Sequence, residues 1–234
     1  MFYTLIPFIL LIAASCWRWQ KQRPIQQWYK QLNLKKHQLI FNELFSKVDG
    51  FTLSQEARNA FDAMEYTYGE IDFISFIALI SLAHPNTNTV FYDLGSGTGK
   101  AVFACAMVFD IKKSCGIELF SPLHQAALSL QDDLQNYADY QSKSKTIHLI
   151  NHNFLHVDFN DATLIFINAT ALFGETWTTL IQRLEHTNPC SIIITTSKKL
   201  NSNVFILLRS VTVQMSWGLV EAHIHQHTNC AQTT

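Results

Sequence analysis

The strongest constraint on the fold is an apolar strand followed directly by a glycine-rich turn, VFYDLGSGTGK at residues 90–100. Gly95, Gly97 and Gly99 let the backbone approach a ligand closely at the start of the following helix, where free N–H groups favour anionic groups. The spacing here is G-x-G-x-G, whereas a dinucleotide-binding turn has G-x-G-x-x-G. The segment therefore predicts a strand, a turn and a helix that together bind a small ligand.

Two acids accompany this turn. Glu118 ends the next predicted strand, and its carboxylate can accept hydrogen bonds from both hydroxyls of a ribose, as a similarly placed acid does in nucleotide-binding folds. Asp93, near the end of the first strand, is typical of sites for S-adenosylmethionine, whose ammonium group it can face directly or through a water molecule. We therefore predict a site for that cofactor, which also includes Ser96 and Lys100 of the turn.

From Thr89 onward, short β-branched and aromatic runs alternate with helical stretches. Such alternation predicts an α/β fold with a mostly parallel sheet covered by helices on both faces. Beyond Asn201, two segments of alternating polarity predict a closing antiparallel pair. The predicted strands are Thr89–Leu94, Lys113–Glu118, Thr146–Ile150, Thr163–Asn168, Ser191–Thr196, Val211–Trp217 and Leu219–His227.

Residues 1–17 carry no charge and would span about 25 Å as a helix, close to the short limit for a membrane span. We expect a membrane anchor here; a cleaved signal and an apolar helix packed on the domain are the alternatives. A basic juxtamembrane segment follows at residues 18–36. By the positive-inside rule, this flank predicts a single-pass membrane protein whose remaining chain faces the cytoplasm.

Residues 37–84 have apolar side chains at spacings of three and four, which predicts a helical region ahead of the sheet. Residues 85–228 are expected to form the cofactor-binding domain, and residues 229–234 a short tail. A composition of 48% hydrophobic and 15% charged residues excludes a disordered chain. The net charge of −1 argues against constitutive nucleic-acid binding, because no overall basic field would hold the protein on a polyanion.

The cysteines and histidines predict no metal site. The 5 cysteines form no C-x-x-C pair, which also argues against a disulfide framework and favours a reducing compartment. We expect Cys105 and Cys190 to be small, buried, apolar side chains. His223, His225 and His227 alternate, so on a strand they share one face, and we interpret them as residues of a partly exposed edge strand.

Four strings in this chain are similar to those of one family. They are Tyr68-Gly69-Glu70-Ile71-Asp72-Phe73, Phe91 to Lys100 with Glu118, Asn153-Phe154-Leu155, and Phe166-Ile167-Asn168 followed by Phe173-Gly174. Weaker similarities are Thr196-Ser197-Lys198 and Ser216-Trp217-Gly218. Over about residues 60–228, the chain resembles the non-SET lysine methyltransferases of the disruptor-of-telomeric-silencing class. These are class I enzymes with a Rossmann-like sheet that depend on S-adenosylmethionine.

The resemblance implies roles for several residues. Residues 68–70 would form a loop over the methionine part of the cofactor, and Phe154 would lie against the adenine. Asn168 would lie where the methyl group is transferred, and Phe173 and Trp217 would line a channel for the substrate lysine.

The sequence departs from the family pattern at three places. Asn153 replaces the usual Asp before the adenine-stacking Phe, so it can accept a hydrogen bond from the adenine amine only without charge assistance. One extra residue separates Asn168 from Phe173. His223, Ile224 and His225 stand where the family has tyrosines, which affects the lining of the channel and hence the substrate.

These observations predict an S-adenosylmethionine-dependent protein-lysine N-methyltransferase, similar to histone-lysine methyltransferases and acting at a membrane. An apolar channel lowers the pKa of the lysine ammonium group, and Asn168 would orient the neutral amine for in-line attack. The expected partners are a protein that bears the lysine and the membrane. The alternatives are methylation of a small molecule or RNA, and a catalytically silent membrane scaffold with the cofactor fold.

Overall fold

The computed structural model describes residues 23–58, 68–228 and 230. The predicted anchor at residues 1–17 lies outside these residues, as does most of the predicted tail. Within the described part, no helix is both long enough and apolar enough to cross a bilayer.

A helical region precedes the sheet, as predicted, and further helices cover both of its faces. The helices are residues 23–31 (α1), Leu34–Phe45 (α2), Gly50–Arg58 (α3), Phe73–Ser81 (α4), Lys100–Val108 (α5), Ser121–Gln135 (α6), Gln141–Ser144 (α7) and Gly174–Leu184 (α8). The α4 helix begins after Asp72, whose carboxylate accepts a hydrogen bond of 2.9 Å from the backbone N–H of Ser75. This cap fixes where the chain enters the helix from the loop at residues 68–72.

One sheet of seven strands forms the centre of the molecule, in the order β3-β2-β1-β4-β5-β7-β6. The first five strands in this order are parallel, and β7 is antiparallel to both β5 and β6. The strands are Val90–Leu94 (β1), Lys113–Glu118 (β2), Ile147–Asn151 (β3), Leu164–Ile167 (β4), Ile192–Thr196 (β5), Phe205–Met215 (β6) and Gly218–His227 (β7). This is the predicted Rossmann-like sheet with an antiparallel last pair.

The strand order places several chain segments at one end of the sheet, where the parallel strands have their carboxyl ends. From β1 the chain continues to β2 on one side, whereas β4 pairs with β1 on the other side. In open α/β sheets, ligands bind outside the carboxyl ends of the strands at such a switch point. The turn after β1, Glu118 at the end of β2 and Asn168 after β4 therefore lie at one end of the sheet.

The core has two parts, one on each face of the sheet. On one face, α2 and α4 pack over α5, in which residues 101–108 are all buried. On the other face, Leu180, Ile181 and Leu184 of α8 pack against the sheet. Because α5 is covered by other helices as well as by the sheet, it has almost no polar face, which explains the apolar sequence AVFACAMV.

The prediction that the three histidines lie on an edge strand is wrong. The β6 strand begins at Phe205, earlier than predicted, and covers β7 on its outer side. His223, His225 and His227 are consequently buried, with exposed fractions of 3%, 1% and 3%. The backbone N–H of Leu200 donates to Nε2 of His225 at 3.2 Å, and burial lowers the pKa of this histidine to about 4. In the described part of the chain, no group of three or more His, Cys, Asp or Glu residues is arranged to hold a metal ion.

Two cysteines also differ from the prediction. Cys190 and Cys230 form a disulfide, with their Cα atoms 4.2 Å apart, so Cys190 is not a small buried apolar side chain. The partners are 40 residues apart in sequence, and they meet because the end of β7 returns beside the start of β5. This pair contradicts the expectation from cysteine spacing, since the spacing carries no information about that return. Cys105 and Cys115 are buried thiols.

Candidate active site

A cavity of about 1210 Å³, which includes the open space at its mouth, lies at the carboxyl ends of β1, β2 and β4. Most of the predicted site residues line it: Tyr68, Gly69, Glu70, Asp93, Gly95, Ser96, Gly97, Lys100, Glu118, Asn153, Phe154 and Asn168. The fold thus brings together residues from five separate segments of the sequence. Contact of each residue with a cofactor stays a prediction.

The glycine turn forms one wall of the cavity. Gly95 has a φ of +86°, and a Cβ added there would meet no atom within 4 Å, so the backbone faces open space. Gly97 has a φ of +56°, and a Cβ there would lie 2.6 Å from Cε2 of Tyr68. Gly99 does not line the cavity; it precedes α5 with a φ of +87° and packs on Phe103. We therefore assign Gly99 to the start of the helix rather than to ligand contact.

The carboxylate of Glu118 is held by two backbone groups. Its Oε2 accepts a hydrogen bond of 2.7 Å from the N–H of Gly97, and its Oε1 accepts one of 2.8 Å from the N–H of Phe120. Burial raises the pKa of Glu118, and the backbone hydrogen bonds oppose this effect. Because each carboxylate oxygen can accept two hydrogen bonds, both keep capacity for a ribose hydroxyl.

Asp93 lies deep in the same cavity, with an exposed fraction of 4%. Burial and the nearby charge of Glu118 raise the pKa of this carboxyl group to about 8. A cationic group of a ligand beside Asp93 would favour the ionised form and lower the pKa again. The residue is therefore placed to receive an ammonium group, whose positive charge would favour its ionised form.

The loop after β3 contributes another part of the cavity wall. Asn153 begins the 3-10 helix Phe154–His156, and its Oδ1 accepts a hydrogen bond of 2.8 Å from the N–H of Leu155. Arg183 of α8 donates hydrogen bonds to the carbonyl oxygens of Leu155 and Val157. No motif in the sequence pointed to this arginine, since only the packing of α8 brings it to the loop. Together these contacts fix the position of Phe154 at the cavity.

The loop at residues 68–72 covers the glycine turn. The hydroxyl of Tyr68 donates to Oε1 of Glu70 at 2.8 Å, and Nζ of Lys100 donates to Oε2 of the same carboxylate at 2.5 Å. Burial raises the pKa of Tyr68, which keeps its hydroxyl protonated as a donor. The ion pair between Lys100 and Glu70 thereby connects the start of α5 to this loop.

Asn168 follows β4 and lies between two other segments. Its Nδ2 donates a hydrogen bond of 3.3 Å to the carbonyl oxygen of Gly69, and its Oδ1 accepts one of 2.7 Å from the hydroxyl of Thr196. Apolar residues line the same cavity, and we predicted no site role for them because they look like ordinary core positions. They include Ile71, Leu94, Phe166, Leu172 and Met215.

The structure does not bring Phe173 and Trp217 to the cavity wall, although both were predicted to line a lysine channel. Phe173 is 46% exposed, and Nζ of Lys198 lies 3.5 Å from the centroid of its ring. Leu172, one position earlier, lines the cavity instead, in keeping with the extra residue after Asn168. Trp217 is also 46% exposed, and its ring covers Gly69 so closely that a Cβ there would overlap it.

The cavity has the features that S-adenosylmethionine requires. The open space above Gly95 admits a ligand to the backbone, Glu118 offers acceptors for ribose hydroxyls, and buried Asp93 suits an ammonium group. The residues present therefore fit this cofactor.

Comparison with known sequences identifies one family. A family model described as "Histone methylation protein DOT1" matches residues 51–229. A curated relative from Caenorhabditis elegans, "Histone-lysine N-methyltransferase, H3 lysine-79 specific", is 33% identical over 147 residues. This match covers 58% of the present chain but only 15% of the relative, so the chain spans a small part of that protein's length.

Comparison with solved structures gives the same fold. An RNA methyltransferase from Salinibacter ruber in complex with S-adenosyl-L-homocysteine is 18% identical, with a TM-score of 0.50, over 65% of this chain and 89% of that one. TrmN from Thermus thermophilus is 16% identical, with a TM-score of 0.52, over 65% of this chain and 48% of that one. At these identities, the similarity shows the fold alone.

Proposed function

The chain belongs to the DOT1 family of histone methylation proteins, and we propose that it transfers methyl groups to lysine side chains of a protein. Its family and its sheet identify it as a methyltransferase of the S-adenosylmethionine-dependent class. The observation that carries the proposal is the position of Asn168, whose amide lies in the same cavity as Asp93 and Glu118.

When bound, S-adenosylmethionine would supply an electrophilic methyl group. A neutral amine would form a bond to the methyl carbon while the bond from that carbon to the sulfonium sulfur breaks, with S-adenosylhomocysteine as the leaving group. The chain's own residues would orient the two reactants. Glu118 would accept hydrogen bonds from the ribose hydroxyls, and Asp93 would balance the positive charge of the ammonium group. Phe154 would stack on the adenine. The loop at residues 68–72 would exclude water from the methionine part.

A lysine amine must lose its proton before it can attack. Ile71, Leu172 and Met215 line the cavity together with Asn168 and add apolar surface to its wall. An ammonium group there loses hydration, so its pKa falls and the neutral amine is favoured. The Oδ1 of Asn168 accepts one hydrogen bond from Thr196 and keeps capacity for an amine N–H, which would orient the nitrogen.

The family and the charge support the proposed substrate class. The relative from Caenorhabditis elegans is named for lysine 79 of histone H3, and a protein lysine is the acceptor that we propose here. A net charge of −1 gives no general attraction to nucleic acid, so RNA is a weaker candidate. Histones and membrane-associated proteins are both suitable test substrates.

We further propose that residues 1–17 attach the protein to a membrane, with the catalytic domain on the cytoplasmic side. The uncharged segment and the basic residues after it support this arrangement. The disulfide between Cys190 and Cys230 argues for an oxidising compartment, so the side of the membrane needs a direct test. Protease added to intact cells should leave residues 18–234 uncut, and cleavage of this region would contradict the proposed orientation.

Transfer of a radiolabelled methyl group from the cofactor tests the reaction. The acceptors are purified histones, a membrane-protein extract and total RNA, each digested afterwards with protease or nuclease. Protease-sensitive label on lysine is the expected result, and Asn168→Ala is the control that should lower it. Nuclease-sensitive or solvent-extractable label would contradict the proposal. Cofactor binding without transfer to any acceptor would favour a silent scaffold instead.

A further inference from the structure

A chain of hydrogen bonds connects the end of β5 to the loop at residues 68–72 through Asn168. Thr196 is the last residue of β5 and is fully buried, and its hydroxyl donates to Oδ1 of Asn168 at 2.7 Å. The Nδ2 of Asn168 in turn donates to the carbonyl oxygen of Gly69 at 3.3 Å. Thr196 is not among the residues that line the cavity, and its hydrogen bond to Asn168 connects it to one that does.

This arrangement allows only one orientation of the Asn168 amide. The carbonyl of Gly69 can only accept a hydrogen bond, so it requires Nδ2 on its side. A flipped amide would place two acceptors against each other at Gly69. The hydroxyl of Thr196 then completes the network by donating to Oδ1. One N–H and one lone pair of the amide remain for a ligand.

Trp217 holds the same loop from another side. Its ring lies against Gly69, where only a glycine leaves room for it. The next residue, Glu70, accepts a hydrogen bond of 2.7 Å at its carbonyl oxygen from the N–H of Ser216. The N–H of Asp72 donates to the carbonyl oxygen of Gln214 at 2.9 Å. The loop thus runs antiparallel to the end of β6, like a short additional strand.

We propose that Thr196 and Trp217 are positioning residues that hold Gly69 and Asn168 in one fixed arrangement. Neither residue lines the cavity, yet together they determine where the loop lies over the cofactor and how the Asn168 amide faces the acceptor. This inference rests on the proposed function, because it requires S-adenosylmethionine to bind in the cavity. Loss of either residue loosens the loop and speeds release of the bound molecule.

The test measures the dissociation rate of radiolabelled S-adenosylhomocysteine after a chase with unlabelled compound. Thr196→Val removes the hydroxyl with little change of shape, and it should speed dissociation about fivefold, the effect of one lost hydrogen bond. Thr196→Ser retains the hydroxyl and should restore the native rate. Thr187→Val is the matched control, since that buried hydroxyl donates to the carbonyl oxygen of Leu184, and Thr187 does not line the cavity.

A double variant tests whether Thr196 acts through Asn168. Adding Thr196→Val to Asn168→Ala should give no further increase in the dissociation rate, because the shared contact is already lost. Additive effects would overturn the proposed route. Trp217→Ala provides a second variant, in which the substituted side chain is partly exposed rather than buried. It should also speed dissociation of S-adenosylhomocysteine.

The outcomes separate this inference from the proposed function. A native dissociation rate in both Thr196→Val and Trp217→Ala would overturn the inference, and so would an equal effect of Thr187→Val. Failure of the native protein to bind S-adenosylhomocysteine would contradict the proposed function itself, and the inference with it.

Discussion

The carboxylate of Glu118 accepts a hydrogen bond of 2.7 Å from the backbone N–H of Gly97, so the acid that ends β2 holds the glycine turn that follows β1. The two segments are adjacent because β1 and β2 are paired in parallel. Glu118 thus has two roles: it fixes the shape of the turn, and it retains acceptor capacity for a ligand.

Removal of this carboxylate should weaken cofactor binding. Glu118→Ala loses one or two hydrogen bonds to a charged acceptor, each worth about 1.5 to 3 kcal/mol, so the affinity should fall at least about tenfold. Calorimetric titration with S-adenosylmethionine measures this directly. Asp161→Asn is a control, because that acid pairs with Lys113 and does not line the cavity. Unchanged affinity in Glu118→Ala would remove Glu118 from the site.

Cofactor binding should release a proton from Asp93. The pKa of this residue is raised to about 8 by burial, so at pH 7 it is mostly protonated, and a neighbouring ammonium group favours the ionised form. Affinity should therefore rise with pH up to about 8. Calorimetry at pH 7 in two buffers with different ionisation enthalpies counts the protons. Cofactor binding to the Asp93→Asn variant should release about one proton fewer than binding to the native protein. Release of the same number of protons by both proteins would contradict this role of Asp93.

Asn168→Ala should slow methyl transfer far more than it weakens cofactor binding. One lost orienting hydrogen bond in a water-poor site raises the barrier by roughly 1.4 to 4 kcal/mol, which lowers the rate by one to three orders of magnitude. The ribose and adenine contacts lie elsewhere, so the affinity should change less than about tenfold. Both quantities should be measured on one preparation. Full activity would exclude a catalytic role, and loss of binding together with activity would make Asn168 a structural residue.

Acid should destabilise the protein through His225. Burial lowers its pKa from the ordinary histidine value of 6.5 to about 4 in the folded protein, so the unfolded chain binds more protons between these limits. The free energy of unfolding should therefore fall as the pH drops from 6.5 to 4, by about 1 to 3 kcal/mol.

Urea unfolding at several pH values tests this dependence. His225→Gln keeps an acceptor for the N–H of Leu200 and does not titrate, so its pH dependence should be flatter. His152→Gln changes an exposed histidine and should leave the native dependence unaltered. The same pH dependence in all three proteins would show that His225 is not responsible.

The features that the sequence predicts well are those set by local patterns. The glycine turn, Asp93 and Glu118 are identifiable because a strand, a turn and a helix follow one another within a short segment. The parallel strands are also located within one residue at either end, since each is a short apolar run between helical stretches. The positions of the glycine turn, Asp93 and Glu118 in the cavity then follow from the general rule that ligands bind at the carboxyl ends of the strands in open α/β sheets.

The features that the sequence does not predict depend on contacts between distant segments. Thr196 reaches Asn168 only because β4 and β5 pair in parallel, and Arg183 reaches the loop after β3 only through the packing of α8. The predicted start of β6 at Val211 is late, because the first residues of this strand are continuously apolar and show no alternation. That error in turn places the buried histidines of β7 at an edge.

The disulfide between Cys190 and Cys230 closes the segment that contains β5, β6 and β7 into a covalent ring, with its two ends 40 residues apart. A ring of this size reduces the conformational entropy of the unfolded chain, which raises the free energy of unfolding by about 4 kcal/mol in the chain-entropy account. The ring includes Thr196 and Trp217, the two residues that hold the loop at residues 68–72. Under reducing conditions, β5 and the antiparallel pair therefore lose a constraint that β1 to β4 lack, and the reduced chain should unfold more readily from that end.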